Sequence, residues 1–383
     1  MIILEKPYVS DFLIETIKKN NFKVLDNEVA RNYLPEEYLT STFEAIKAYN
    51  NDNEPFYTNS ENSINWIAKN LADSDLNKMI ELSKDKALFR KTLKSIFPNY
   101  FFKECEYENL KNINPKDLKF PLILKPAVGF LSFGVYPIYN IEEWQKTLLN
   151  LEDDIKKFES IFPKSVVNTS TFVIEEMIKG EEYALDAYFD ENGKAVILNI
   201  FEHPFSNGKD VSDRAYYTSK PIMKRYLRKF EELLNKIAKV GNYKNFPFHL
   251  ELRVSENDII PIEINPLRFC GWCITDIAYY AWGINVYEYY FKKLKPNWDE
   301  ILDKKDGTYY YFTMGDIPND IKKDEIKDVD YWKYLHNISH PLDIRKIDFK
   351  TNPVFAIVFG KTKSLEEIEN LLTMNTRKYI ETV

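Results

Sequence analysis

Apolar and polar positions change their spacing several times along the 383 residues, and each change marks an expected element. Near the N-terminus, short apolar runs at Ile2–Leu4, Phe22–Leu25 and Pro55–Tyr57 alternate with helical patterns at Asp11–Lys19, Thr42–Tyr49 and Ser63–Leu71. Strands and helices in alternation predict a small parallel sheet, so residues 1–82 read as an N-terminal α/β domain. Residues 83–290 mix further strands with helices at about 141–159 and 222–240 and read as a second, larger domain. In residues 291–383, Thr308–Thr313 and Pro353–Phe359 read as strands and Ser364–Tyr379 as a helix. Ser364 would be its N-cap and Glu367 would complete a capping box. This C-terminal α+β region reads as a lid or a dimer element, and the fold class is α/β (α+β).

The densest chemistry lies in two strand-like stretches, Phe248–Arg253 and Ile260–Pro266, separated by the turn composition Ser255-Glu256-Asn257-Asp258. A hairpin would set Glu251 near Glu263. Glu263 and Asn265 are two apart and share a face of their strand. Two close carboxylates in an apolar setting repel and desolvate badly unless a cation lies between them. Oxygen-only donors suit Mg²⁺, which fills the rest of its shell with phosphate oxygens. Taken alone, the stretch could equally be a surface hairpin with solvated acids.

Other pieces precede it in order. Asp85-Lys86 opens a helical segment reaching Ser95, and Phe120–Pro126 is an apolar strand carrying Lys125. Ala127–Gly134 follows as a glycine-containing loop with Ser132 near its end, and then comes Phe172-Val173-Ile174-Glu175-Glu176-Met177-Ile178-Lys179-Gly180-Glu181-Glu182-Tyr183. The loop is not a P-loop, because Val135-Tyr136, not Lys-Ser/Thr, follows Gly134.

This order of motifs, over about residues 83–290, resembles the nucleotide site of the ATP-grasp superfamily. The resemblance implies an ATP-grasp fold of two lobes with ATP between them, behind a small pre-ATP-grasp domain. It implies that Lys86 and Lys125 meet the α- and β-phosphates as mobile point charges. The loop with Ser132 would fold over the phosphates. The Glu176 carbonyl and the Ile178 amide would face adenine with the Glu175 side chain nearby, and Glu182 would hold the ribose hydroxyls. Glu251, Glu263 and Asn265 would hold Mg²⁺, with Mn²⁺ as an alternative.

His249-Leu250-Glu251 and Arg268-Phe269-Cys270-Gly271-Trp272 narrow the resemblance to the L-amino-acid ligases, the bacilysin-type dipeptide synthases. In that group the matched Arg268 steadies the acyl phosphate and the tetrahedral oxyanion, with Gly271 in the same loop. Trp272 helps wall the second amino-acid pocket, and His249 belongs to the metal strand beside the substrate. Asn265 is a departure, since those ligases often lack it. The polar stretch Glu202–Lys220 lies where the family covers the γ-phosphate and substrate, so Arg214 or Lys209 would contact the transferring group. The implied activity is a carboxylate–amine ligase of small molecules, amino acids first among them, using ATP and Mg²⁺. A non-catalytic ATP-binding protein and a ligase of protein- or carrier-bound substrates remain alternatives.

Composition trims the remaining classes. Hydrophobic content of 44% with 29% charged residues is globular. A net charge of −7 argues against nucleic acid or an anionic membrane as the main partner. Three cysteines give no disulfide framework and fit a reducing, cytoplasmic compartment. No signal peptide and no membrane span are expected. Cys270-Gly271-Trp272-Cys273 is a C-x-x-C without thioredoxin-like context or further zinc ligands, and reads as small buried thiols beside the site.

Overall fold

Short parallel strands begin the chain as the alternation predicts. The computed structural model describes residues 1–129, 134–161, 168–206 and 213–382. Its first sheet runs in the order Leu39–Thr40, Val24–Leu25, Ile2–Ile3, Tyr57–Thr58, all parallel. Around it, helix Asp11–Asn20 starts where the Ser10 hydroxyl accepts from the Leu13 amide, and stops at Asn21 in the left-handed conformation. Helix Thr42–Asp52 is opened by a capping box of Ser41 and Glu44. Helix Asp75–Lys84 runs through the boundary expected at residue 82, and Asp85 then caps helix Lys86–Thr92 by accepting from the Ala87 and Leu88 amides.

A four-stranded antiparallel sheet follows, in the order Phe102–Glu106, Asn168–Glu176, Leu122–Val128, Tyr136–Ile138. Helix Ile141–Ile161 covers it, burying Trp144 and Leu151 among Leu122, Leu124, Phe172 and Ile174. The chain then crosses to an eight-stranded sheet through Met177–Gly180. Its order is Ile259–Pro266, Phe246–Val254, Glu181–Phe189, Ala195–His203, Ala215–Ser219, Tyr309–Asp316, Val354–Thr362, Pro341–Lys346. Helix Lys220–Gly241 lays Tyr226 and Phe230 against Tyr183 of that sheet, with ring centroids 4.6 and 6.1 Å away.

The expected hairpin is present, and its register pairs Glu251 directly with Glu263 and His249 with Asn265. The C-terminal strands extend the same sheet: Tyr309–Asp316 pairs antiparallel with Ala215–Ser219. The expected Ser364–Tyr379 helix is shorter. It spans Leu365–Thr373, a 3₁₀ turn follows at Thr376–Tyr379, and the Ser364 side chain makes no capping bond. The Glu367 carboxylate is taken instead by the Tyr311 hydroxyl at 2.6 Å and by the Ser339 amide and hydroxyl at 3.1 and 2.6 Å. A side chain committed to a neighbouring strand and loop cannot also turn back to complete a capping box.

Gly180, at φ +108°, is where the two sheets join, and a Cβ there would lie 2.1 Å from the Val254 carbonyl oxygen. Both the backbone conformation and the close approach require glycine. Gly180→Ala should therefore cost about 2 kcal/mol or more. Urea unfolding measures it, and a wild-type midpoint would contradict this account of the crossing.

Candidate active site

Two carboxylates from adjacent strands form the centre. Glu251 and Glu263 face each other across the hairpin, each with a side chain 24% exposed, so both keep an open edge. The Asn265 amide Nδ2 donates to Glu251 Oε1 at 3.2 Å. Burial pushes the Glu251 carboxyl well up, with the charges of Glu263, Glu182 and Asp213 adding to it. Burial acts on Glu263 in the same sense, but Lys86 overrides it and holds this carboxyl low. Lys86 Nζ lies 3.0 Å from Glu263 Oε2 and donates to the Gly129 carbonyl at 3.3 Å. Lys86 thus connects the start of its helix to the end of strand Leu122–Val128 and to the carboxylate strand.

Behind them lies a buried ionic network tying the two sheets together. Glu175 is ion-paired to Lys125 on the neighbouring strand, and the Arg90 Nε donates to it at 2.7 Å. The same guanidinium donates to the carbonyls of Pro261 and Ile262 at 2.6 and 3.2 Å, reaching the strand that carries Glu263. Burial alone would raise Glu175, yet Arg90 and Lys125 outweigh it and bring the carboxyl down to about 2. Burial, and after it the charges of Arg90 and Lys86, push the Lys125 ammonium down against the pull of Glu175. One carboxylate facing two cations leaves excess positive charge, an environment that favours a further anion.

Around this centre the remaining expected residues are placed as follows. The Glu176 carboxylate accepts from the Phe101 amide at 2.7 Å, and its carbonyl accepts from the Tyr100 hydroxyl at 3.1 Å. The Ile178 carbonyl accepts from Arg253 Nη1 at 3.3 Å. Glu182 lies between Arg253, whose Nε and Nη2 donate at 3.1 and 3.0 Å, and His203 Nδ1 at 2.8 Å. His249 Nδ1 is 2.8 Å from buried Asp186 and its Nε2 is 4.0 Å from Glu251. Arg268 directs Nε and Nη2 onto Glu61 at 2.9 and 2.7 Å, and Lys84 is ion-paired to the same carboxylate. Burial would raise Glu61 too, but Lys84 and Arg268 take it down to about 2. Gly271 sits beside that guanidinium, and half-buried Trp272 follows at φ 56°.

Arg214 differs from expectation. Its Nε donates to Asp316 at 2.7 Å and its Nη1 to the carbonyls of Leu372 and Met374 at 2.6 and 3.2 Å. The guanidinium is thereby committed to the C-terminal region rather than to the carboxylate pair. Ser132 and Lys209 lie outside the described residues. Burial pushes the Cys273 thiol up to about 11 and raises Cys270 as well, which keeps both protonated near neutral pH. Both lie packed and buried.

Five residues of the cluster carried no assignment from sequence: Arg90, Glu61, Lys84, Asp186 and Arg253. Two of them left a signal: Arg90 stands four residues after Lys86 and shares its helix face, and Arg253 stands two residues after Glu251 and shares its strand face.

The Glu175 network yields a pH prediction. Its carboxyl falls from 4.5 to about 2 on folding, so its stabilisation is present above pH 4.5 and is lost as pH falls toward 2. Glu175→Gln leaves two buried cations without their counter-ion and should cost roughly 3–5 kcal/mol at neutral pH. The gap to wild type should narrow on acidification through that window. Denaturant unfolding as a function of pH reads it, and a pH-independent gap would contradict it.

Residues 118–276 match the ATP-grasp domain. A D-alanine–D-alanine ligase of Petrotoga mobilis is 28% identical over 180 residues, covering 45% of this chain and 54% of that protein, so the match spans about half of its length. Among solved structures, the L-amino acid ligase from Bacillus licheniformis superposes with a TM-score of 0.68 at 16% identity, covering 100% of this chain and 98% of that one. N5-carboxyaminoimidazole ribonucleotide synthetase from Thermotoga maritima gives 0.65 at 14% identity, covering 100% and 98%. Residues 118–276 thus match an ATP-grasp domain, and the chain as a whole has the ATP-grasp fold.

Proposed function

We propose that this protein is an ATP- and Mg²⁺-dependent carboxylate–amine ligase acting on small molecules, with amino acids as the substrate class. The observation that carries this reading is the cross-strand pair Glu251–Glu263 with Asn265 beside it and Lys86 above it. The fit to Mg²⁺ rests on the donor set. Two carboxylates in one desolvated place, one of them pushed well up, ask for a cation. Among the described residues the hairpin offers those two carboxylates and an amide, which leaves room for phosphate oxygens. Mg²⁺ held there would neutralise the phosphates and orient them.

The chain's own groups divide the remaining work. Lys86 and Lys125 hold the phosphates by charge, and the excess positive charge around Glu175 adds to that attraction. The stretch Glu175–Ile178 binds adenine and Glu182 the ribose, exchanging part of its present bonding to His203 and Arg253 for the sugar hydroxyls. The carboxylate substrate attacks the γ-phosphorus and releases ADP, the amine then attacks the acyl carbon, and phosphate departs. No side-chain nucleophile is required, because phosphate is the leaving group. Arg268 presents a guanidinium where charge grows on the acyl oxygen, trading Glu61 for that oxygen. The D-alanine–D-alanine ligase and L-amino acid ligase among the similar proteins support amino acids as substrates. Among the described residues no helix is long and apolar enough to cross a membrane, and with three free cysteines this supports a cytoplasmic enzyme.

A phosphate-release screen of amino acids and small carboxylates in pairwise mixtures tests the reading. Equimolar ADP, phosphate and amide product are expected from at least one pair, and tight ATP binding with no release across the panel would overturn it. Glu263→Gln should abolish turnover with the fold intact. Arg268→Ala should lower kcat by about 10²–10³ with ATP affinity little changed. Arg268→Lys should recover only part, because the fork geometry is gone. Near-normal kcat with a lowered melting temperature would make Arg268 a structural partner of Glu61.

A further inference from the structure

The loop that leaves the carboxylate strand takes an uncommon course. Leu267, Trp272 and Cys273 have φ of 63°, 56° and 54°, values that residues with a Cβ rarely adopt. Such a path persists only where surrounding groups over-determine it. Two restraints come from nearby elements: the Thr58 amide donates to the Leu267 carbonyl at 2.8 Å, and the Cys270 amide donates to Asp186 Oδ1 at 2.7 Å.

A third restraint arrives from the C-terminal region. Arg345, on the edge strand Pro341–Lys346, donates from Nη1 to the Cys273 carbonyl at 2.8 Å. Its Nη2 donates to Asp276 Oδ2 at 2.7 Å, at the exit of the same loop. Asp276 is 1% exposed, and its oxygens also accept from the Ser10 hydroxyl at 2.7 Å and the Tyr287 hydroxyl at 2.6 Å. Arg345 itself is buried, lies over the Phe359 ring at 4.5 Å, and is steered by Asp343 at 3.1 Å. One guanidinium therefore spans the loop from its last left-handed carbonyl to the carboxylate anchored on the N-terminal domain.

We propose that Arg345 is a positioning residue: it holds Leu267–Asp276 in its left-handed course and thereby sets the placement of Arg268 and Trp272 at the substrate end of the site. It gives the C-terminal region a share in the active site without contact with reacting atoms. The substrate part of this statement rests on the ligase reading; the loop part does not. Two separate nitrogens are required, one for the carbonyl and one for the carboxylate, which a lysine ammonium cannot supply at both places.

Arg345→Lys keeps the charge and loses the fork. Arg345→Met with Asp276→Asn removes both charges together, so that no buried ion is stranded. Hydrogen–deuterium exchange by mass spectrometry and calorimetry with Mg·ADP are run on the full chain. Exchange in peptides covering 267–276 should rise by about tenfold or more in both variants, while strands Leu122–Val128 and Glu181–Phe189 keep their protection. Mg·ADP affinity should stay within about twofold, a change below 0.5 kcal/mol. With a substrate pair from the phosphate-release screen, KM for the carboxylate or amine should rise while KM for ATP does not. Unchanged exchange in 267–276, or a rise spread over both reference strands, would overturn the proposal. Absence of phosphate release from the wild type would instead defeat the ligase reading, and the exchange result would still decide the role of Arg345.

Discussion

Two carboxylates placed side by side in a desolvated setting are a standing electrostatic cost, and much of this molecule is arranged around that cost. The register of one hairpin sets Glu251 against Glu263, and a slip by one residue between its strands would put the two on opposite faces. Lys86 settles one of them, and Glu251 remains with an amide at 3.2 Å and the His249 imidazole at 4.0 Å. A hairpin built only for stability would have apolar or oppositely charged residues at these positions. Retaining the pair makes sense where a divalent cation shares the site during function.

Under the proposed ligase reading, a second constraint is that the pair faces phosphates held by a different sheet. Arg90 meets it by touching Glu175 on the small sheet and two carbonyls of the carboxylate strand on the large one. Breaking that network would loosen the crossing and scatter the charges at once. Glu61 plays a comparable part from the N-terminal domain, where it binds both Arg268 and Lys84. Three regions of the chain thus meet at one cluster through charge-assisted hydrogen bonds, which are stronger and more directional than neutral ones.

What could be read in the sequence followed from local periodicity. The hairpin, the Lys125 strand, the helices near residues 141 and 222 and the small parallel sheet all carry their signal within a short window. The pairing of Tyr309–Asp316 with Ala215–Ser219 does not, because it joins segments about ninety residues apart and no local pattern encodes the partner. The capping box at Ser364 shows the opposite case: the local signature was present, but Tyr311 and Ser339 captured Glu367. Site residues divide in the same way. Glu251, Glu263 and Asn265 were legible from spacing on one hairpin, whereas Asp186 and Glu61 reach the site only by tertiary placement. Arg214 sat in a suggestive stretch, yet its partners Asp316, Leu372 and Met374 lie about a hundred residues or more further along the chain.

Nucleotide affinity measured with and without Mg²⁺ addresses the central claim directly. Calorimetric titration of ADP into the wild type and into the double variant Glu251→Gln/Glu263→Gln separates the carboxylates from the lysines. If the pair holds a cation against the phosphates, Mg²⁺ should tighten ADP binding to the wild type by about tenfold or more, at least 1.4 kcal/mol. That gain should vanish in the variant, while metal-free ADP binding, carried by Lys86 and Lys125, survives. An equal gain from Mg²⁺ in both proteins would contradict the account.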